Sequence, residues 1–337
     1  MMTRRLCAVV LSLLFILGCS SKPEEGAKSP SLPAEKKLRI AVIPKGTSHE
    51  FWKSIHAGAV KAGRELGVEI IWKGPQKEDD REQQIQVVQN FVSSEVDGIV
   101  LAPLDAKALV NPVREAAGAK IPVVIIDSSL DGEVGKDFVS YVSTDNYQGG
   151  VLGAKRLATL MGGNGNLILL RYQEGSASTD QREAGFLDTI KKYYPNIKIL
   201  SDNQHAGATM ETAMQASQRL LSQFADVQGY YCPNESSTFG TLRALEEDGR
   251  AGKIFFVGFD SSEKLVEGMK GGKVHGLTLQ NPMKMCYLGV KTLVAHIRGE
   301  KVEQRIDTGV EMVTPENMDK PEIKDVLLPD LSQYLNE

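Results

Sequence analysis

Four cysteines, five histidines and two tryptophans in 337 residues leave the chain poor in the side chains that build disulfide scaffolds and transition-metal sites. A chain not stapled this way must bury apolar cores instead, and this one is long enough for two domains of about 100–200 residues each. Charge of one sign is also lacking: 39 Lys and Arg face 43 Asp and Glu, a net of −4. That balance excludes the basic footprint through which proteins neutralise a phosphate backbone, so no nucleic-acid partner is expected. No apolar run reaches the ~20 residues of a membrane-spanning helix. Chemical motifs are missing as well. There is no G-x-x-x-x-G-K-[ST] to cradle phosphates, no G-x-G-x-x-G after the first strand and no G-x-S-x-G elbow. His49-Glu50-Phe51-Trp52-Lys53 opens like a zinc-protease helix, but Lys53 stands where the second histidine ligand belongs. No metal and no cofactor are expected.

What is present begins with a leader. Arg4 and Arg5 precede the apolar stretch Leu6 to Leu17, and Ile16-Leu17-Gly18-Cys19 closes it with a small residue and a thiol. The arrangement resembles a bacterial lipobox. It implies removal of a signal peptide, residues 1–18, and a diacylglyceryl group on Cys19 that holds the chain at the cell envelope, periplasmic or extracytoplasmic. An ordinary secretory leader with an incidental cysteine is the alternative. Residues 19–37, rich in Ser, Pro, Lys and Glu, read as a flexible tether. Cys232 and Cys286 read as core residues rather than as a bridge.

From Leu38 onward short β-branched runs alternate with amphipathic stretches, the pattern of an α/β chain with doubly wound parallel sheets. Strands are expected at Leu38-Ile43, Glu69-Trp72, Gly98-Leu101, Val123-Ile126 and Phe138-Val142, and the rhythm repeats in the second half. Asp97-Gly98-Ile99-Val100-Leu101 matches Gln228-Gly229-Tyr230-Tyr231-Cys232, and Val123 to Asp127 matches Phe255 to Asp260, in the same order, which points to a duplication. Asp127 and Asp260 each end a hydrophobic strand, at the carboxyl edge where open parallel sheets bind ligands. Two such edges facing each other make a cleft.

From Leu38 to about Val310 the chain resembles the ribose-type periplasmic sugar-binding proteins, solute receptors of ABC importers. The resemblance rests on Phe51-Trp52 after the first strand, Ile121-Pro122-Val123-Val124-Ile125-Ile126-Asp127, Ser143-Thr144-Asp145-Asn146, Arg182-Glu183-Ala184-Gly185-Phe186, Asn234, Val257-Gly258-Phe259-Asp260 and Gln280. It implies the type I periplasmic-binding fold: two similar domains joined by a three-crossover hinge, near Ser143-Asn146, Gln280-Pro282 and Thr308-Glu311. The lobes would comprise residues 38–143 with 281–309, and 144–280 with 310–337.

The family holds its ligand between the domains. By that resemblance Phe51 and Trp52 would stack on the C–H faces of a sugar ring, or else anchor the first helix in the core. Asp127, Asn234, Asp260 and Gln280 would bond neighbouring hydroxyls, the alternative being helix caps and turns. Departures from the ribose receptor's pattern are Asp180 and Ser128 where it has arginines, Ala102 where it has an asparagine, and Lys45 and His49 in place of small polar residues. Lys45 either reaches the cleft or lies solvated, Arg182 binds ligand or is structural, and Ser178, Thr179 and Asp180 read as helix caps. Ribose itself is therefore not supported, and a differently substituted sugar is expected.

The function expected is a monomeric substrate-binding protein that captures a sugar and delivers it to ABC permease subunits while its lipid anchor holds it to the membrane. A sugar or autoinducer receptor signalling to a membrane sensor would share the fold. A glycosidase would need Asp127 and Asp260 as its acid pair. A repressor would need an N-terminal helix-turn-helix where this chain has a leader.

Overall fold

The computed structural model describes Lys37–Leu335; the leader, Cys19 and nearly all of the tether lie outside these residues. The chain enters with β1 (Arg39–Ile43), α1 (Glu50–Leu66), β2 (Glu69–Trp72), α2 (Arg81–Ser93), β3 (Gly98–Leu101), α3 (Val110–Gly118), β4 (Val123–Ile126) and β5 (Ser140–Ser143). It continues through α4 (Asn146–Leu160), β6 (Gly165–Leu169), α5 (Ala177–Tyr193), β7 (Ile197–Ser201), α6 (Met210–Gln223), β8 (Gly229–Tyr231), α7 (Glu235–Glu247), β9 (Phe255–Phe259), α8 (Glu263–Lys270) and β10 (Gly276–Gln280). It ends with α9 (Pro282–Ile297), β11 (Arg305–Asp307), β12 (Val310–Val313) and α10 (Pro321–Leu327). Two six-stranded sheets result, ordered β11-β5-β4-β3-β1-β2 and β12-β10-β9-β8-β6-β7. All pairings are parallel except that of β10 with β12. Each sheet with its helices is called a lobe below.

Strand periodicity distributes each core over two faces. In the first lobe Ile40, Val42, Val100 and Val124 pack with α1 and α9, while Ala41, Ile43, Ile99, Leu101, Val123 and Ile125 pack with α2 and α3. The second lobe repeats the division, with Leu167, Leu169, Tyr231 and Val257 against α4 and α5 and Ile168, Tyr230 and Phe256 against α6, α7 and α8. Cys232 and Cys286 are buried, unbridged, and belong to different lobes.

The chain passes between the sheets three times, from β5 to α4, from β10 to α9 and from β11 to β12. Thr144 ties the passages together: its hydroxyl lies 3.1 Å from Gln280 Oε1 and 3.3 Å from Thr308 Oγ1.

Some boundaries differ from the sequence reading. β5 spans Ser140–Ser143 rather than Phe138–Val142, and α3 begins only at Val110, because Asp105 Oδ1 accepts from the Lys107 and Ala108 amides and holds a turn ahead of it. The helix α9 follows β10 across a single residue, Asn281, and begins with Pro at its first position, where a missing N–H costs nothing. The sequence reading saw only a crossing at that point.

Glycines let one helix pair in each lobe approach closely. A Cβ on Gly150 in α4 would sit 1.9 Å from the Arg182 carbonyl oxygen of α5, and one on Gly58 in α1 would sit 2.2 Å from the Met283 oxygen of α9. Both obstacles are backbone, so only separation of the helices relieves the clash. Gly150→Ala should lower stability by about 1–3 kcal/mol in urea unfolding. An unchanged midpoint would contradict this packing.

Candidate functional site

The two strand-end aspartates are structural counterparts. Asp127 follows β4 with φ +62° and Asp260 follows β9 with φ +67°, both in the left-handed region that Asp tolerates better than most residues. Both carboxylates face a chamber between the lobes, where they are buried.

Asp127 Oδ2 is 2.8 Å from Lys45 Nζ, which also donates to Ser178 Oγ at 3.0 Å and Ser176 Oγ at 3.4 Å on the other lobe. Lys45 is thus a wall of the chamber, 3% exposed, and not a solvated loop residue. Ser178 does not cap α5. Ser176 occupies the N-cap position but makes no cap bond, and the Ser178 amide donates to Ser128 Oγ of the first lobe at 3.0 Å. The hydroxyls of Ser176 and Ser178 turn to Lys45 instead.

His49 Nδ1 lies 2.6 Å from Glu78 Oε1, which also accepts from Trp52 Nε1 at 2.8 Å. Tyr172, from the second lobe, donates to Glu78 Oε2 at 3.0 Å. Burial alone would lower the His49 pKa, but the Glu78 charge and hydrogen bond outweigh it and raise it to about 9. Glu78 is held well below the usual carboxylate range: burial, which raises it, is outweighed by the charge of His49. Trp52 is 2% exposed, packs edge-on against Phe51 at 4.8 Å and joins the core, while Phe51 is half-buried at the chamber wall.

On the facing side Asp260 accepts from Gln280 Nε2 at 2.7 Å and from the Glu235 amide at 3.0 Å, and lies 3.9 Å from Arg182 Nη1. Arg182 stacks on Phe259 at 3.7 Å and donates to Asn146 and to the Pro233 carbonyl, each at 2.9 Å. Its buried Nη2 has no hydrogen-bond acceptor. Asn234 caps α7, its Oδ1 accepting from the Ser237 amide, while also lining the chamber. Glu235 reaches across to the first turn of α1, accepting from the amides of Glu50 at 3.2 Å and Phe51 at 2.9 Å. Burial raises its pKa to about 7, against the pull of His49 and those amides.

All nine residues that the sequence singled out, Lys45, His49, Phe51, Trp52, Asp127, Arg182, Asn234, Asp260 and Gln280, line this one chamber. Glu78, Tyr172, Ser176, Ser178, Thr179 and Glu235 complete it. Glu235 stands beside Asn234, so its place was within reach of the sequence; Glu78 and Tyr172 sit in loops with no periodic signal. The chamber's volume is about 20 Å³, little more than one water needs. Its chemistry is a lining of paired charges and hydroxyls with one aromatic wall.

A family model described as periplasmic binding protein domain matches residues 40–301. The chain belongs to that family. The D-ribose/D-allose-binding protein of Pseudomonas aeruginosa is 30% identical over 321 residues, covering 93% of this chain and 98% of that one. Among solved structures, a carbohydrate transporter solute-binding protein from Agrobacterium radiobacter in complex with D-arabinose is 35% identical, with TM-score 0.83 over 87% of this chain and 99% of that one. An ABC transporter solute-binding protein from Agrobacterium vitis with bound D-fucose is 37% identical, with TM-score 0.83 over 86% and 100%. The two sheets and their crossings are accordingly those of the type I periplasmic-binding fold, and this periplasmic binding protein places its chamber between its lobes.

The His49–Glu78 pair has a defined pH signature. A histidine whose pKa rises from 6.5 to about 9 on folding contributes stability that is fully present below pH 6.5 and lost as pH climbs through 9. The stability difference between the native protein and His49→Gln should therefore shrink, by on the order of 2–3 kcal/mol, between pH 6 and 9.5 in urea unfolding. A difference that does not change with pH would contradict the pairing.

Proposed function

We propose that this chain is the substrate-binding protein of an ABC importer, which captures a neutral monosaccharide between its lobes and delivers it to membrane permease subunits. The observation that carries this reading is the chamber lining: three cations lie against three of its four carboxylates, and the fourth, Glu235, has its pKa raised to about 7 by burial and is held by two backbone amides, so no unmatched strong charge calls for a charged ligand. Serine and tyrosine hydroxyls, Gln280 and the unsatisfied Arg182 Nη2 are the groups that pair with sugar hydroxyls. Phe51 offers its ring to the apolar face of the sugar. The family membership and relatives named for ribose, allose, arabinose and fucose support a pentose or hexose as the ligand.

Capture requires the lobes to part, since ligand pockets typically measure about 300–1,000 Å³ and this chamber is far smaller. The three crossings joined by Thr144 form the hinge of that motion. Asp127 is held by Lys45 and Asp260 by the Gln280 amide, which places each carboxylate as a hydrogen-bond acceptor for sugar hydroxyls. No described helix is long and apolar enough to cross a membrane, and the lipid on Cys19 is the anchor this reading assigns. The protein works outside the cytoplasm, as a monomer.

Titration calorimetry with D-ribose, D-allose, D-arabinose and D-fucose should find at least one ligand bound without turnover. Asp127→Asn and Asp260→Asn should weaken its binding about 100-fold, about 2.7 kcal/mol, with circular dichroism unchanged. Absence of binding throughout the panel would contradict the sugar reading, and native affinity in both variants would contradict the site.

A further inference from the structure

Beside the chamber lies a groove of about 550 Å³ that shares five of its residues, His49, Phe51, Glu235, Asp260 and Gln280. Beyond this border the lining is mixed: Met210, Phe239, Leu279, Leu328 and Leu331 give it an apolar wall, and serines with Glu50, Lys53, Glu263 and Lys264 give it a polar one. Among the described residues only four large hydrophobics are exposed, and two of them, Met210 at 38% and Leu328 at 41%, face this groove. Two of the charges at its rim are paired: Lys53 lies 3.3 Å from Glu50, and Lys264 lies 2.9 Å from Glu267. One wall is the chain that follows α10. It is fixed to the second lobe through Ile323 and Leu327 in the core, and to the first through Arg64, which donates to the carbonyls of Gln333 and Tyr334. Both lobes and the C-terminal segment therefore build the groove, and its volume falls within the range of small-molecule sites.

We propose that this groove is a second subsite, continuous with the sugar chamber, that takes an uncharged apolar substituent carried by the sugar: the alkyl or aryl aglycone of a glycoside. The inference rests on the sugar reading and extends it, because the groove meets the chamber at Phe51 and Gln280 and carries an apolar wall onward from that border. Burial of the substituent against Met210 and Leu328 supplies the added affinity.

The test is titration calorimetry of the full-length protein with each of D-ribose, D-allose, D-arabinose and D-fucose, beside its butyl and phenyl glycosides in both anomers. For a sugar that binds, one of its glycosides should bind about tenfold tighter, the gain from burying about two methylene groups. That ratio, measured within each variant, should fall below about twofold in Met210→Asp and in Leu328→Asp. At Met210, the first residue of α6, an acidic side chain favours the helix, which keeps the variant folded. Free sugar bound with no gain from any glycoside would overturn this inference alone. So would a gain that survives both substitutions. Failure of free sugars and glycosides alike would overturn the sugar reading and the subsite with it.

Discussion

Each ion pair of the chamber joins two residues of the same lobe. Lys45 meets Asp127 and His49 meets Glu78 in the first, and Arg182 faces Asp260 in the second. What crosses from lobe to lobe is different in kind: the hydroxyls of Ser176 and Ser178 to Lys45, Tyr172 to Glu78, and the Glu235 carboxylate to two backbone amides. Stripping one partner from a buried ion pair costs about 3–5 kcal/mol, whereas a hydrogen bond exchanged for water costs about 0.5–1.5. Parting the lobes therefore leaves the three ion pairs intact and breaks hydrogen bonds that water or a sugar hydroxyl replaces. A cleft lined with three cations and four carboxylates can open for this reason.

The division follows from the duplicated sheets. Strand orders β2-β1-β3-β4-β5 and β7-β6-β8-β9-β10 are the same path traced twice, and the residue after the fourth strand of each is an aspartate in the left-handed conformation. Each lobe thus presents one carboxylate at the same edge and must supply a cation for it locally. The first lobe does so from the loop after β1, the second from α5, so the two halves share a frame but differ in the groups they offer a ligand. Gly58 and Gly150 bring the supporting helices close in each lobe, and Gly150 touches the backbone of Arg182 itself, which couples helix packing to the chamber.

Much of this was legible in the sequence because parallel strands buried on both faces read as continuous apolar runs, and the polar residue that ends such a run has a fixed place. Asp127 and Asp260 were found that way, and Gln280 through the family resemblance. Lys45 was ambiguous in sequence because a long side chain either snorkels to water or folds inward, and only Asp127 and the serines of the opposite lobe decide the matter. Glu78 and Tyr172 were missed for a related reason: they meet across 94 positions of sequence, from loops whose course no periodicity fixes. Trp52 shows the limit of residue type as a guide, since its indole N–H serves Glu78 and its ring serves the core, leaving Phe51 as the accessible aromatic face.

The central claim is that a sugar is held between lobes that close over it. Spin labels at Gln86→Cys on α2 and Gln215→Cys on α6, both exposed and one on each lobe, would report the separation by pulsed electron resonance. Among the described residues the native cysteines, Cys232 and Cys286, are buried and would not compete for the label, and a chain starting at Ser20 leaves out Cys7 and Cys19. Saturating sugar should collapse a broad, longer distribution onto a single shorter distance. A distribution unchanged by a sugar that calorimetry shows to be bound would contradict capture by closure.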